Sequence, residues 1–354
     1  MEFRQKRKFI FSGSLGGNSM KGSSLLFCFV LSVVFLYGGV CPISAQAPRT
    51  AKIVFVSARD LNREIYLMNP DGSEQVNLTK NLADDLFPVW SPTGEQILFV
   101  SDRDGMRDLY LMDADGGNVE KVFKRTARRE NPTWSPDGKQ IAYERGEVIY
   151  IATIGKQMEE LVADGFDPAW SPDGREIALT LNPFGSHRLV LLNIHTRRQR
   201  QVLPQGVSAW QADPAWTVTG DKLSFSWNKN PLPVPPDAMP GKPFRVPPEW
   251  LSQETIYIMN SDGTDVQQIV NEAGPKAKNP VWSPLGDEIV YTQEIAGHLQ
   301  LFKVDVGSQV VTQLTHIGVP YQANALADWF DPITLDVLPQ PQLLPIEWGK
   351  IKKR

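Results

Sequence analysis

The sequence predicts an all-β protein, a six-bladed β-propeller closed by pairing of a C-terminal strand with the first blade. Three observations lead to this prediction. A seven-residue motif recurs along the chain, each copy belongs to a unit of four short strands, and the last copy lacks the strands that should follow it. A unit of about 40 to 45 residues with four antiparallel strands is typical of a propeller blade.

The recurring motif reads PVWSPTG at residues 88–94 and predicts a strand followed by a tight turn. The apolar pair that ends in Trp indicates a short buried strand. The Ser-Pro-Asp-Gly form of the motif favours a type I turn, with Ser first, Pro second and Gly fourth. Five full copies and a degenerate sixth at 328–332 place the signature tryptophans at Trp90, Trp134, Trp170, Trp216, Trp282 and Trp329.

The other strands of each unit are indicated by apolar runs between turn residues. In the second unit, residues 96–100 follow the motif, residues 108–112 form the next strand, and an Asp-Gly turn leads to the last one. The interval from Trp134 to Trp170 is short, which we assign to a tight hairpin at Arg145 and Gly146. The interval from Trp216 to Trp282 is long because it holds an insertion.

The ring of blades is expected to close through the two ends of the repeat region. The first unit starts at its second strand, Lys52–Ser57, and has no Trp strand of its own. The last Trp strand, residues 327–330, has no strands after it. We therefore expect this segment to pair as the innermost strand of the first blade, which removes the open edges that invite aggregation.

The sequence divides into three parts. Residues 1–47 read as an export signal, because several basic residues precede an apolar run at 25–40 and small residues follow it. An uncleaved N-terminal anchor is the alternative, although the run is short for a membrane span. Residues 48–332 form the propeller, with a Pro-rich insertion at 228–252 in blade five, and residues 333–354 form a C-terminal tail. Both cysteines, Cys28 and Cys41, fall in the leader, so we expect no disulfide in the mature chain.

The charge balance argues against a nucleic acid partner. The full chain has 36 basic and 40 acidic side chains, and removal of residues 1–45 takes away five basic and one acidic side chain, which leaves a net charge of about −8. Phosphate binding requires a basic surface. The basic residues at 350–354 are too few to change this expectation.

The motif set resembles the repeat of the TolB propeller family over residues 52–332. The WSPDG-type turn, the following apolar strand, the IYxM strand and the Asp-Gly turn recur in the order found in that family. The resemblance implies a TolB-like six-bladed propeller and a place in the Tol-Pal envelope system of the periplasm. TolB itself has an additional N-terminal domain that we do not find in this sequence, so the resemblance supports the fold more than that role.

No catalytic, cofactor or metal site is predicted from the motifs. The sequence contains no GxSxG, which a propeller-type peptidase would need for its hydrolase domain. The histidines lack metal-ligand spacing, so we interpret them as scattered surface residues: His187, His195, His298 and His316. The Asp-Gly segments resemble calcium loops only in part, and we interpret them as hairpin turns because strands flank them.

Two sets of residues are candidates for a binding site. The first lies three residues before a signature Trp and could ring one mouth of the central channel: Asn131, Asp167, Asp213 and Asn279. The alternative is that these short polar side chains bond the backbone where each strand begins. The second set lies in the Pro-rich insertion, which cannot pair as a strand and should be an extended excursion. Its Phe244, Arg245 and Trp250 are residue types that are common in interaction hot spots, although a passive flap is the alternative.

The expected function is that of an exported, non-catalytic binding module. We expect a monomer in the periplasm or medium that binds a protein or envelope-associated partner on its loop-rich face, with no membrane contact beyond the export signal. One alternative is a propeller-type carbohydrate lyase or hydrolase with carboxylates at the channel mouth. Another is an intracellular scaffold, if the leader is not processed.

Overall fold

The computed structural model describes residues 45–182, 187–204, 210–233, 246–271, 276–316 and 323–336. Residues 1–44 lie outside the described residues. The predicted export signal therefore lies outside them except for its last three residues. Phe244, Arg245 and residues 337–354 of the predicted tail also lie outside.

Within the described residues, 24 strands form six four-stranded antiparallel sheets. From the inside of the ring outward, blade 1 consists of β24 (Asn324–Phe330), β1 (Lys52–Ser57), β2 (Glu64–Met68) and β3 (Val76–Asn77). Blade 2 consists of β4 (Asp85–Trp90), β5 (Gln96–Ser101), β6 (Asp108–Asp113) and β7 (Glu120–Lys121). Blade 3 consists of β8 (Glu130–Trp134), β9 (Gln140–Glu144), β10 (Val148–Thr153) and β11 (Glu159–Asp164).

The remaining blades repeat this order. Blade 4 consists of β12 (Phe166–Trp170), β13 (Glu176–Leu181), β14 (Arg188–Asn193) and β15 (Gln199–Gln201). Blade 5 consists of β16 (Gln211–Trp216), β17 (Lys222–Trp227), β18 (Thr255–Asn260) and β19 (Gln267–Gln268). Blade 6 consists of β20 (Ala277–Trp282), β21 (Glu288–Ile295), β22 (His298–Asp305) and β23 (Val311–Gln313). Two short helical segments are also described: α1 (Pro248–Leu251) and a 3₁₀ helix (Pro332–Asp336).

The predicted closure is confirmed, because the last strand of the ring pairs with the first. Ile53 lies opposite Trp329 and Ser57 lies opposite Asn324 in an antiparallel register. This pairing makes β24 the innermost strand of blade 1. The chain therefore forms a closed six-bladed propeller, as the orphan Trp strand indicates.

The turn after the signature Trp has the predicted geometry in blades 2 to 6. In blade 2 the backbone N–H of Gly94 donates to the Ser91 carbonyl at 2.8 Å, which is the bond that closes a type I turn. The Ser91 hydroxyl oxygen also accepts from the Gln96 N–H at 3.1 Å. Equivalent closing bonds occur in blades 3, 4, 5 and 6. The motif thus sets the angle between the inner strand and its neighbour.

The core lies between the blades as well as within them. Ile65 of blade 1 packs with Phe99 of blade 2 in a cluster that also contains Trp90 and Phe330. The rings of Trp90 and Phe330 are 5.5 Å apart. Burial of such apolar surface contributes about 25 cal/mol per Å², and it is what holds neighbouring sheets together.

The short interval in blade 3 has two causes, and the sequence indicated only one. The hairpin at Arg145 and Gly146 is present between β9 and β10. In addition, a single residue, Gly165, joins β11 to β12. Gly165 has φ of +134°, and a Cβ there would lie 2.6 Å from Leu179 Cδ1, so only glycine fits this connection.

The links between blades and the loops between second and third strands lie on the same side of the ring, which we call the loop-rich face. The turns after each Trp lie on the opposite face. The inner strands begin at the loop-rich face, so their first residues line that end of the central channel. Among the described residues, no helix is long and apolar enough to cross a membrane.

Candidate functional site

Each inner strand contains a β-bulge at the same place. The register with the second strand shifts between Leu86 and Val89 in blade 2, and similar shifts occur in the other blades. The residue three before each Trp lies in the bulge and has φ between +48° and +53°: Phe87, Asn131, Asp167, Asp213, Asn279 and Leu326. Asn and Asp tolerate this left-handed conformation better than other residues with a Cβ, which accounts for four of the six residue types.

The residue after the bulge position is proline in five blades and Ala327 in blade 1. Proline has no N–H to donate, and it is tolerated in a strand only where that side of the backbone is unpaired. The inner strand meets this condition because its other edge faces the channel. The sequence pattern before each Trp is therefore the pattern of a bulged edge strand around a central opening.

The six bulges surround a cavity of about 210 Å³. Blades 1 and 2 contribute Leu326 and Phe87, which we call the apolar arc. Blades 3 to 6 each contribute one polar residue, and we call these four residues the polar arc: Asn131, Asp167, Asp213 and Asn279. The cavity thus has one apolar wall and one polar wall.

The polar arc also bonds neighbouring blades together. The Asn131 amide Nδ2 donates to Asp167 Oδ1 at 2.9 Å and to Glu144 Oε2 at 2.7 Å. Asp213 Oδ2 accepts from the Asn279 backbone N–H at 3.2 Å and from the Ser226 hydroxyl at 2.7 Å. The bond to Asp167 crosses from blade 3 to blade 4, and the bond from the Asn279 N–H crosses from blade 6 to blade 5. The other two bonds lie within blades 3 and 5. The side chains therefore have a structural role, whatever else they do.

Burial changes the charge of the polar arc. Burial, and then the nearby carboxylates of Asp213 and Glu144, raise the pKa of Asp167 well above its usual range. Burial is also the main reason that the pKa of Glu144 is raised. Asn279 Oδ1 is buried and has no hydrogen-bond partner among the described residues. Burial therefore favours the protonated form of Asp167 over what an exposed Asp would show, and the arc includes an acceptor that a bound group could use.

The structure brings all four predicted ring residues to one cavity. Phe87 and Leu326 complete the ring, and sequence reasoning missed them because it considered only polar residue types. The signal that identifies them is the fixed distance of three residues before each Trp.

The Pro-rich insertion leaves the sheet between β17 and β18, and its two ends are joined at its base. Asn228 Nδ2 donates to the Trp250 carbonyl at 2.5 Å, and the Trp250 indole N–H donates to the Pro231 carbonyl at 3.0 Å. Part of the insertion is helical instead of extended, because Pro248 at the first position of α1 favours a helix start. Trp250, which was considered a contact residue, is only 6% exposed and fixes the base of the insertion.

The sequence predicts that His187 is a surface residue, and this prediction is wrong. His187 lies in an aromatic cluster beside the insertion. Its ring stacks on Trp210 with centroids 4.2 Å apart and meets Phe166 edge-on at 5.1 Å. The Trp250 ring meets the Trp210 ring edge-on, with centroids 5.2 Å apart. Burial in this cluster lowers the pKa of His187. No group of side chains that could hold a metal ion occurs among the described residues.

Asp328 is a carboxyl group in the closing strand, one residue after Ala327 of the cavity wall. Its Oδ2 accepts from the Trp90 backbone N–H at 2.7 Å, so it joins β24 to the inner strand of blade 2. In the other blades, this position holds Val, Thr or Ala. Burial raises the pKa of Asp328 to about 6. The charged form at neutral pH therefore opposes folding.

We expect Asp328→Asn to be more stable than wild type at pH 7.5. A folded-state pKa of about 6 against an ordinary value of 3.8 means that this group favours the fold fully below pH 4 and loses that contribution as pH rises through 6. Each pKa unit corresponds to about 1.4 kcal/mol, so the gain at pH 7.5 is at most about 3 kcal/mol. Urea unfolding from pH 4 to pH 8 measures it.

The matched control is Asp265→Asn, which removes a carboxylate from an exposed turn and should leave the stability curve close to that of wild type. The gain for Asp328→Asn should shrink toward zero as the pH falls to 4. A variant that is less stable than wild type at pH 7.5 would show that the bond to Trp90 needs the charged carboxylate.

Comparison with known proteins shows that this chain is similar to TolB propellers in sequence and in fold. The family model described as TolB beta propeller domain matches residues 32–166. A 49-residue segment is 49% identical to the Tol-Pal system protein TolB of Geobacter sulfurreducens, but this segment is 14% of the chain and 11% of that protein. The match therefore spans about a tenth of the curated relative.

Solved structures of TolB proteins have a similar fold. TolB from Acinetobacter baumannii superimposes with a TM-score of 0.64 at 17% identity, over 85% of this chain and 71% of that one. A TolB-type protein from Agrobacterium tumefaciens superimposes with a TM-score of 0.57 at 17% identity, over 80% of this chain and 99% of that one. At these identities the likeness shows a shared fold, and function must be argued from the site.

Proposed function

Since this chain is a TolB-like six-bladed β-propeller, we propose that it works as a non-catalytic binding module for a protein of the cell envelope. The family match and the relative from the Tol-Pal system support a protein partner. The leader at 1–47, with its basic residues and apolar run, supports export to the periplasm or medium. The partner binds on the loop-rich face, over the mouth of the channel.

The observation that carries this proposal is the two-sided cavity beneath that face. Its apolar arc can pack against a hydrocarbon stem, and its polar arc includes the free acceptor Asn279 Oδ1. Long side chains with an apolar stem and a polar tip, such as Lys, Arg or Gln, match both walls at once. A loop of a partner protein that inserts one such side chain would use the full depth of the cavity.

The Pro-rich insertion is proposed to add to the same surface. It leaves blade 5 on the loop-rich face, and the bonds at its base hold both ends in place. Trp250 supplies this fixed base. Phe244 and Arg245 are the residues that we propose contact the partner, because aromatic and Arg side chains dominate interface energetics.

The proposal is tested by replacing Asn279 with Leu and measuring recovery of a partner from envelope extract. Leucine has a similar size, and Leu326 shows that the bulge accepts leucine at φ +53°. The substitution removes the polar acceptor and keeps the shape of the cavity. We expect wild type to recover one partner and Asn279→Leu to lose at least about tenfold, because an unpaired buried polar group costs about 1–3 kcal/mol.

The control is Leu285→Asn, which changes a residue that is 65% exposed on the opposite face. It should recover the partner as well as wild type does. Equal recovery by all three proteins would contradict a role for the cavity. Circular dichroism and thermal melting should show that the variants are folded.

The second candidate function, a carbohydrate lyase or hydrolase, has one observation in its favour. Asp167 and Asp213 line the cavity, and Glu144 lies close enough to raise the pKa of Asp167. A carboxyl group with a raised pKa suits a general acid. We favour the binding module because these groups are already bonded across the blades. Turnover of a carbohydrate that is lost in Asp167→Asn would reverse this preference.

A further inference from the structure

Three carboxyl groups at the central cavity have no basic side chain paired with them. Asp167 and Asp213 line the cavity. Glu144 is joined to Asp167 through Asn131, whose Nδ2 donates to both carboxylates. Among the described residues, no Lys, Arg or His side chain forms an ion pair with any of these three groups. The protein therefore places acidic groups around the cavity without supplying the cation that would balance them.

Buried carboxylates farther from the channel are treated differently. Asp85 Oδ1 lies 3.1 Å from Arg103 Nη2. Asp108 Oδ1 lies 2.7 Å from Arg129 Nη1. A buried carboxylate that lacks such a partner is unfavourable, because burial removes the water that would solvate its charge. At the cavity, the charge must be met by a proton or by a cation that comes from outside the chain.

The effect of the missing cation is visible at Asp167. Burial raises the pKa of this carboxyl, and the negative charges of Asp213 and Glu144 raise the pKa further. Lys278 of β20 acts in the opposite sense, but it forms no ion pair with Asp167. A positive group bound in the cavity would relieve the repulsion that the carboxylates exert on one another.

The acceptors in the cavity wall are suited to a planar cation with several donors. Asp213 uses one oxygen, Oδ2, for its bonds to the Ser226 hydroxyl and the Asn279 N–H. In the next blade, Asn279 Oδ1 is buried and has no hydrogen-bond partner among the described residues. Blades 5 and 6 thus present a carboxylate and an amide oxygen at the same cavity.

Of the three side chains that match both walls of the cavity, Arg meets these conditions best. Its guanidinium has five N–H donors in one plane and no acceptor. It is more weakly hydrated than the ammonium of Lys, so it loses less on entering a buried site. A Gln side chain is neutral and would leave the carboxylates unbalanced. No group of described side chains could hold a metal ion, which also favours an organic cation.

We propose that the cavity selects a guanidinium group, carried by an Arg side chain that the partner inserts from the loop-rich face. This inference rests on the proposed function and names the side chain that the cavity takes. The methylene stem packs against Phe87 and Leu326, and the guanidinium donates to Asp213 and to Asn279 Oδ1. The partner thereby supplies the counter-charge that the propeller lacks.

The test compares two small probes on the full chain, n-butylguanidinium and its neutral analogue n-butylurea. Ligand-observed NMR titration suits the Kd on the order of 1 mM that a ligand of this size reaches. We expect n-butylguanidinium to bind at least about tenfold more tightly than n-butylurea, because charge-assisted hydrogen bonds are about twice as strong as neutral ones. The comparison uses the wild-type protein, so it does not depend on the folding of a variant.

Asp213→Asn should weaken the Kd for n-butylguanidinium about tenfold and leave the Kd for n-butylurea unchanged. Asparagine keeps an oxygen that can accept from Ser226 and from the Asn279 N–H, so the substitution removes the charge and retains the bonds between blades. The matched control is Asp265→Asn in an exposed turn, which should bind both probes as wild type does. An Asp213→Asn protein with wild-type affinity for n-butylguanidinium contradicts the proposal.

The affinity for n-butylguanidinium should also rise with pH, because protons and the cation compete for the same carboxylates. The titratable and charged groups that act on the two cavity aspartates, or on which they act, are Glu144, His187, Glu254, Lys276 and Lys278. Acidification adds protons to Asp167 and to His187, and both changes oppose a cation. The Kd should be at least about fivefold weaker at pH 5 than at pH 9. Equal values at both pH values would contradict a role for these carboxyl groups.

The outcomes separate this inference from the proposed function. Equal binding of the two probes overturns selection of a cation, but it leaves the cavity as a place where a partner inserts a side chain. Binding of neither probe also overturns the inference. The proposed function is then decided by partner recovery with Asn279→Leu, and it fails if that variant recovers the partner as well as wild type does.

Discussion

A chain that ends at residue 323 should not fold. This truncation removes β24, so β1 loses every partner on its inner side, including the pairs of Ile53 with Trp329 and of Ser57 with Asn324. It also exposes the apolar surface between blades 1 and 2 that Phe330 covers. Because native proteins are stable by only about 5–15 kcal/mol, the loss of a whole strand and its core contacts exceeds what the fold can lose.

The measurement is far-UV circular dichroism during urea unfolding, with a chain that ends at residue 336 as the matched control. The control keeps β24 and the 3₁₀ helix, and it should unfold in one cooperative transition. The shorter chain should show no cooperative transition. A shorter chain that unfolds like the control would mean that blade 1 holds together without its inner strand, and ring closure would then contribute little.

The second large effect is expected at Arg129, a buried cation between blades 2 and 3. Its side chain is 1% exposed; Nη1 lies 2.7 Å from Asp108 Oδ1, and Nε lies 2.8 Å from Glu159 Oε1. Phe123 covers the guanidinium at 4.0 Å. Burial alone would disfavour the charge, but the bonds to the two carboxylates outweigh it and raise the pKa of Arg129. Arg129→Met removes the closer of the two cations beside buried Asp108, since Lys121 Nζ lies 3.5 Å from Asp108 Oδ2. The substitution should destabilise the protein by about 3 kcal/mol.

The control is the neighbouring Arg128→Met. Arg128 pairs with Glu130 but its side chain is 66% exposed, so its removal should change the unfolding midpoint little. Urea unfolding of both variants gives the comparison. Equal effects of the two substitutions would show that the buried ion pairs do not hold the blades together. Replacement of Arg129 by Lys should recover only part of the loss, since lysine cannot donate to both carboxylates in a fork.

The fold was predictable because the repeat states it five times. Each WSPDG-type motif combines the end of one strand, a turn and the start of the next strand. A copy with substitutions can still be recognised by comparison with the other copies. The closure was predictable for a different reason. The first repeat unit has no Trp strand of its own, and the last Trp strand has no strands after it. The pairing of β24 with β1 confirms that this count was sufficient.

The site was only partly predictable, because residue type does not determine backbone conformation. Four bulge residues were found through their polarity, but Phe87 and Leu326 adopt the same left-handed φ and could be found only by position. The burial of Trp250 and His187 depends on how the insertion packs against blade 4, which no local pattern reveals. The buried Arg129 was missed because a sequence does not show which of several arginines two carboxylates enclose.

The pairing of Lys52 with Phe330 also has a consequence for the order of events during synthesis. β1 cannot form its inner pairing until β24 has been synthesised, and pairing between segments so distant in sequence makes folding slow. The ring cannot close until β24 has been synthesised, so the chain stays incompletely folded until then. Such a delay would suit the export proposed above, in which the chain would cross a membrane before its ring closes.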